Sequence, residues 1–321
     1  MARFAVGPRR KTFIGCSRIK HIKGEVCPVV FRGDVDGGEA SWESNGGLIC
    51  MSTAIARFYT PEGFVIAADG RKRDAETHSI VNDNTQKIFG LSGMQIGYAL
   101  MGIIELSPEG SKEISFDFCN EIAKSAQDLT GRKSKNLFGY ATRLSKPINR
   151  RLADARRSGM ISPYPVQSSK IEERGHTIVR LYLDGYYQGI PSRVNVRFFH
   201  ENQKLSEPEI MSQSLNLNGL LTLGPAVVLE LFNNNDERFA RYHRYRKNWD
   251  GTLSGAVEEC KNYILAFSSP EALEADQEGS SGVGGHTHVA TITPASGFKW
   301  APGLEPVTWP DPPPCIGQMN T

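Results

Sequence analysis

The sequence predicts an α+β protein built on two antiparallel sheets. Two observations carry this: short apolar runs joined by tight-turn signals, and an element order of strands, two helices, strands, two helices and a final strand. At the front, "STAIARF" (52–58) and "GFVIAADGR" (63–71) flank the turn Thr60-Pro61-Glu62-Gly63, which is how a β-hairpin is written. Asp69 closes the second strand. In "NTQKIFGLSGMQIGYALMG" (84–102) a third strand begins at Lys87, turns at Ser92-Gly93, and gives way to a fourth that ends at Gly102.

The remaining elements follow from periodicity. Phe116, Phe118, Ile122, Ala126 and Leu129 recur at helical spacing, predicting a helix over 115–129. A second helix is predicted over 137–157, with Leu137, Tyr140, Ala141, Leu144, Ile148 and Leu152 on one face and Pro147 expected to kink it. "TIVRLYLDG" (177–185) and "RVNVRFFH" (193–200) read as two antiparallel strands, the latter alternating. A third helix starts near Pro225, a fourth covers 254–267, and the last strand is "HVATITP" (288–294).

Composition sets limits on partners. The 321 residues carry 37 basic and 35 acidic side chains, with no charge excess to advertise a nucleic-acid or membrane partner. No apolar run approaches transmembrane length. Cys16, Cys27, Cys50, Cys119, Cys260 and Cys315 are scattered without a CxxC pair, which argues for reduced thiols in a cytoplasm rather than a disulfide framework or zinc site. Residues 1–51 lack periodic apolar pattern and have no signal-peptide core, so they read as a flexible leader or propeptide. One domain over 52–303 and a proline-rich tail over 304–321 complete the expected organisation.

The order of a hydroxyl at Thr53, an acid at Asp69, a lysine at Lys87 and a glycine at Gly102, with the strings "ADGR", "VNDNTQKIF" and "YALMG", resembles the proteasome β-type subunits and their bacterial relatives among the N-terminal-nucleophile hydrolases. The resemblance implies a four-layer αββα sandwich of two antiparallel sheets. It also implies a threonine-type peptidase or amidohydrolase without cofactor or metal, acting on a peptide or protein and self-associating in rings. Thr53 would be the nucleophile, with Asp69 and Lys87 activating it and the Gly102 N–H stabilising an oxyanion. Such chemistry has a physical logic. A threonine hydroxyl is a poor nucleophile, and an N-terminal α-amine, with a pKa of about 8, is a base well matched to neutral pH.

Two registers compete at the start of the domain. Spacing from Asp69 selects Thr53. If Met51 is the true start, however, its removal exposes Ser52 as the nucleophile at the cost of one extra turn residue. Elsewhere the chain departs from the resemblance. Leu223 stands where a serine is expected before the third helix. Ser280 and Val283 stand before the glycine pair Gly284-Gly285, with Asp276 and Ser281 as substitutes after an insertion. These departures keep two alternatives open: an inactive self-assembling subunit, and a hydrolase of small amides.

Other strings have plainer readings. "RFARYHRYRKNW" (238–249) interleaves basic and aromatic residues, yet on a near-neutral chain it reads as a solvated helix end or subunit contact. His286 and His288 in "GGHTH" fall on one side of a strand without further ligands, and read as a strand-edge pair rather than a metal site.

Overall fold

The computed structural model describes residues 53–73, 79–111, 113–164, 175–216, 219–243 and 251–307. The expectations for Met51, Ser52, the leader, the end of the basic string and the tail beyond 307 lie outside the described residues. The chain is α+β, and its sheets are antiparallel.

The first sheet holds β1 (Ile55–Thr60), β2 (Gly63–Asp69), β13 (Gly219–Leu223), β14 (Thr287–Thr293) and β15 (Gly297–Trp300) in the order β13-β1-β2-β14-β15. The second holds β5 (Ile88–Gly90), β6 (Gln95–Gly102), β9 (His176–Tyr187), β10 (Ile190–Glu201) and β11 (Lys204–Leu205) in the order β11-β10-β9-β6-β5, with β12 (Glu209–Ser212) also paired to β10. Two short ladders stand apart, β3 (Lys72–Arg73) with β4 (Ile80–Asn82) and β7 (Glu105–Leu106) with β8 (Phe116–Asp117).

Period-two patterning divides the first sheet between two cores. In β1 and the residue before it, Ala54, Ala56 and Phe58 join one apolar cluster while Ile55 joins another. The cluster containing Ile55 draws Phe64, Ile66, Ala290 and Ile292 from the first sheet, and Ile88, Ala99, Tyr182 and Tyr186 from the second. The two sheets therefore pack against each other through this cluster.

Helices cover the other surfaces. Helix α1 (Phe118–Asp128) is capped by Asp117, whose side chain accepts from Cys119 N, and α2 (Leu137–Arg157) by Asn136, which accepts from Gly139 N. Their apolar faces, including Phe118, Ile122, Leu144 and Ile148, cluster with Ile178, Leu181, Val196 and Phe198 of the second sheet. On the first sheet lie α3 (Ala226–Asn233), the 3-10 turn Glu237–His243 and α4 (Leu253–Phe267), through Val228, Phe232, Phe239, Ile264 and Phe267. Two short helices follow, α5 (Pro270–Ala275) and α6 (Gln277–Ser280). No helix among the described residues is long and apolar enough to cross a membrane.

Several expectations need adjustment. Phe116 and Asp117 form a strand instead of opening α1, and helix α2 runs continuously from 137 to 157 through Pro147. The third strand starts at Ile88, one residue after Lys87. Strands β13 and β15 were not foreseen. His286 precedes β14, and His288 lies within it opposite Ala68 of β2, ahead of the stretch Ala290–Thr293 that pairs with β15.

Candidate functional site

Asp69, Lys87 and the start of β1 are brought together at one end of the sheet interface. Asp69 is the last residue of β2, and β1 pairs with β2 in a register that sets Ile55 opposite Ala68. The hairpin thereby places Asp69 beside Ala54. Asp69 Oδ1 accepts from Ala54 N at 2.9 Å and from Lys87 Nζ at 2.9 Å. Its second oxygen, Oδ2, accepts from Gly284 N at 3.1 Å and Arg71 N at 3.2 Å. The carboxylate is thus held by four donors from four segments of chain.

Neither charged partner has any exposure, and Thr53 is 2% exposed. Burial, the largest influence on both partners, pushes Asp69 up and Lys87 down; their mutual attraction and hydrogen bond work against both shifts. A lysine weakened by burial and held by one carboxylate is suited to exchanging or orienting a proton, as well as to supplying charge.

Gly102 closes β6, the strand that pairs with β5 next to Lys87. Leu100 N donates to Lys87 O at 3.2 Å, so the lysine backbone and the end of β6 are directly linked. Gly102 adopts φ 109°, and a Cβ there would lie 2.5 Å from Ile178 O. Only glycine fits that backbone.

Sequence reasoning missed the frame around these residues. Arg71 donates to Asp83 from Nε at 2.7 Å and to Val283 O from Nη1 at 3.3 Å. Gly70 N donates to Gly284 O at 3.0 Å, Thr85 N to Gly70 O at 2.7 Å, and His286 N to Asp83 O at 2.7 Å. This lattice bolts the glycine pair to the ends of β2 and of the loop before Lys87, and so aims Gly284 N–H at Asp69.

The substitutes proposed near that pair have other work. Asp276 caps α6 by accepting from Gly279 N, and Ser281 Oγ accepts from Arg73 Nη1 at 2.7 Å. Leu223 ends β13 opposite Ile55, and its carbonyl accepts from Tyr263 OH at 3.3 Å.

The histidine pair also has structural partners. His286 Nε2 lies 3.0 Å from Glu305 O, and His288 Nε2 lies 3.0 Å from Asn84 Oδ1. Among the described residues no group of three His, Cys, Asp or Glu side chains is placed to hold a metal ion.

Comparison with known proteins corrects the family resemblance. No family model matches the chain, and no curated protein matches it. Among solved structures, one titled Anbu (ancestral beta-subunit) from Yersinia bercovieri is similar at a TM-score of 0.42 and 10% identity, covering 77% of this chain and 86% of that one. A likeness that distant carries no argument about fold or activity. The assignment to proteasome β-type subunits, read from four ordered residues and short strings around them, is therefore withdrawn. The functional reading rests on the geometry of the site.

Proposed function

We propose that this chain is an amide hydrolase whose nucleophile is the Thr53 hydroxyl, freed as an N-terminal residue by cleavage of the Ser52–Thr53 bond. The observation that carries the reading is the double grip of Asp69 Oδ1 on Lys87 Nζ and on the backbone N–H of Ala54, the residue next to Thr53. A wholly buried lysine–carboxylate pair fastened to the backbone beside a hydroxyl is expensive to maintain for packing alone. In this reading the two sheets and their helices form a four-layer αββα sandwich, within one domain over 52–303.

The chemistry follows from the groups present. The Thr53 α-amine takes the proton from Oγ1 as Oγ1 attacks the amide carbonyl, and Lys87 stabilises the developing alkoxide. The Gly102 N–H donates to the oxyanion of the tetrahedral intermediate. Collapse breaks the C–N bond, and the ammonium returns the proton to the leaving amine. Water then cleaves the Thr53 ester and regenerates the hydroxyl. Cleavage supplies the base, because the α-amine of Thr53 exists only once the Ser52–Thr53 bond is broken.

The test is turnover of a fluorogenic peptide panel and a panel of small amides by the full chain and by Thr53→Ala. Hydrolysis of either panel that disappears in Thr53→Ala supports the reading, and the panel that responds identifies the substrate class. Activity retained by Thr53→Ala overturns it. So does an absence of activity in protein shown to begin at Thr53, which would favour a self-assembling scaffold.

A further inference from the structure

Bases and acids nearly balance over the whole chain, 37 against 35, but they are not spread evenly. Between residues 129 and 157 basic side chains dominate, and Asp154 is the one acid. Arg132, Lys133 and Lys135 fall in the loop before α2, while Arg143, Lys146 and Arg150 fall on the helix itself. All six are exposed. With about 3.6 residues per turn, the three helical cations lie within an arc of about 60°. Their stripe is opposite the face that packs through Leu144, Ile148 and Leu152.

Among the described residues, none of the six is joined to an acid. Glu121 holds Lys124 and Arg151, Asp154 holds Arg157, and Asp128 closes α1 without pairing with any of them. Arg143 instead donates from Nη1 to Lys133 O at 2.9 Å, which draws the basic loop against the helix. That loop is tied in turn to the end of β9: Ser134 N donates to Tyr187 OH at 3.0 Å, and Gln188 Nε2 to Ser134 O at 3.1 Å. Like charges three and four positions apart on a helix repel, as Arg143 with Lys146 and Lys146 with Arg150 must. The backbone therefore gathers these cations against their own repulsion, and holds them in place before any partner arrives.

An anionic partner would relieve that repulsion. We propose that the exposed stripe of α2 and the loop before it form a docking face for a short acidic polypeptide segment, an extended run of Asp and Glu side chains. Charge complementarity selects an anion, and two further observations select a peptide over a nucleic acid. The patch is short: α2 rises about 10 Å from Arg143 to Arg150, the span of about three residues of extended chain. A long polyanion would run beyond it onto a surface of mixed charge, in a chain with a net charge of only +2. Residues 143–157 also include no aromatic side chain on which a base could stack. The proposal is independent of the Thr53 reading.

The full chain is titrated, with fluorescence anisotropy as the readout, into a labelled oligo-glutamate of about eight residues, an oligo-serine of the same length, a single-stranded RNA and a duplex DNA. Saturable binding of oligo-glutamate that weakens with added salt is expected, with no binding of oligo-serine. Combining Arg143→Glu, Lys146→Glu and Arg150→Glu should weaken the glutamate complex by about tenfold or more. Arg238→Glu with Lys299→Glu, which reverses two charges on the first-sheet side of the molecule, should bind as the unaltered chain does. The milder pair Lys146→Gln with Arg150→Gln decides the matter if the triple change does not fold. The proposal is overturned by an absence of saturable peptide binding, by tighter binding of RNA or DNA than of oligo-glutamate, or by an affinity that the triple change leaves unaltered or that both sets of reversals lower equally.

Discussion

Lys87 Nζ meets Asp69 Oδ1 at 2.9 Å in an ion pair with neither side chain exposed. Removing one partner strands the other charge in low dielectric, so Asp69→Asn should cost about 3–5 kcal/mol. The double change Asp69→Asn with Lys87→Met should cost less than the sum of the two single changes. Urea titrations of the three variants test this; strict additivity would mean that the pair is not coupled.

The second prediction concerns Gly102. With φ at 109° and a Cβ position 2.5 Å from Ile178 O, Gly102→Ala must move backbone, at a cost of roughly 1–3 kcal/mol. Thermal melts report it. An alanine accommodated without loss of Tm would show that the backbone at this end of β6 is pliant, and would weaken the case for a fixed oxyanion donor there.

Stability should also depend on pH through His288. Burial, with the neighbouring His286 and Lys87, lowers its pKa from 6.5 to about 3. Between those values the unfolded chain binds a proton that the folded chain does not. Stability contributed by this group is therefore complete above pH 6.5 and is lost as the pH falls toward 3, with a slope of at most about 1.4 kcal/mol per pH unit. Urea midpoints measured across this range should fall on acidification, and His288→Gln should flatten the dependence. An identical slope in the variant would assign the effect to other groups.

Asp184 offers a contrasting case. Burial alone would raise its pKa, but the guanidinium groups of Arg193 and Arg57 outweigh it and hold the carboxyl below the usual range. Asp184→Asn should therefore destabilise by about 3–5 kcal/mol, whereas Arg193→Met, which removes the excess charge, should cost clearly less. Equal losses measured in urea would argue that the cluster carries no charge imbalance.

Local signals made part of this molecule readable. Helix α2 was legible from Leu137 to Arg157 because its apolar residues recur at helical spacing and its ends lie near chain punctuation. The Asp69–Lys87 contact was expected only through the family resemblance, because β2 and β5 lie in different sheets and no local pattern brings the end of one to the start of the other. Strand β13 was not legible. "GLLTL" has no alternation, and its partner β1 lies some 160 residues earlier, a pairing no local pattern encodes. The Arg57–Asp184 bridge spans 127 positions and was hidden for the same reason, although a charged residue at an inward position of each strand was the available signal. The family resemblance failed for a different reason: short strings around strand ends are dictated by turns and caps that many folds share.

The most direct test of the central claim is the intact mass and N-terminal sequence of protein purified without an N-terminal tag. The account predicts a mature chain beginning at Thr53, with its α-amine free. A chain that retains residues upstream of Thr53 while hydrolysing amides would contradict it, since the base on which the mechanism depends would still be locked in a peptide bond.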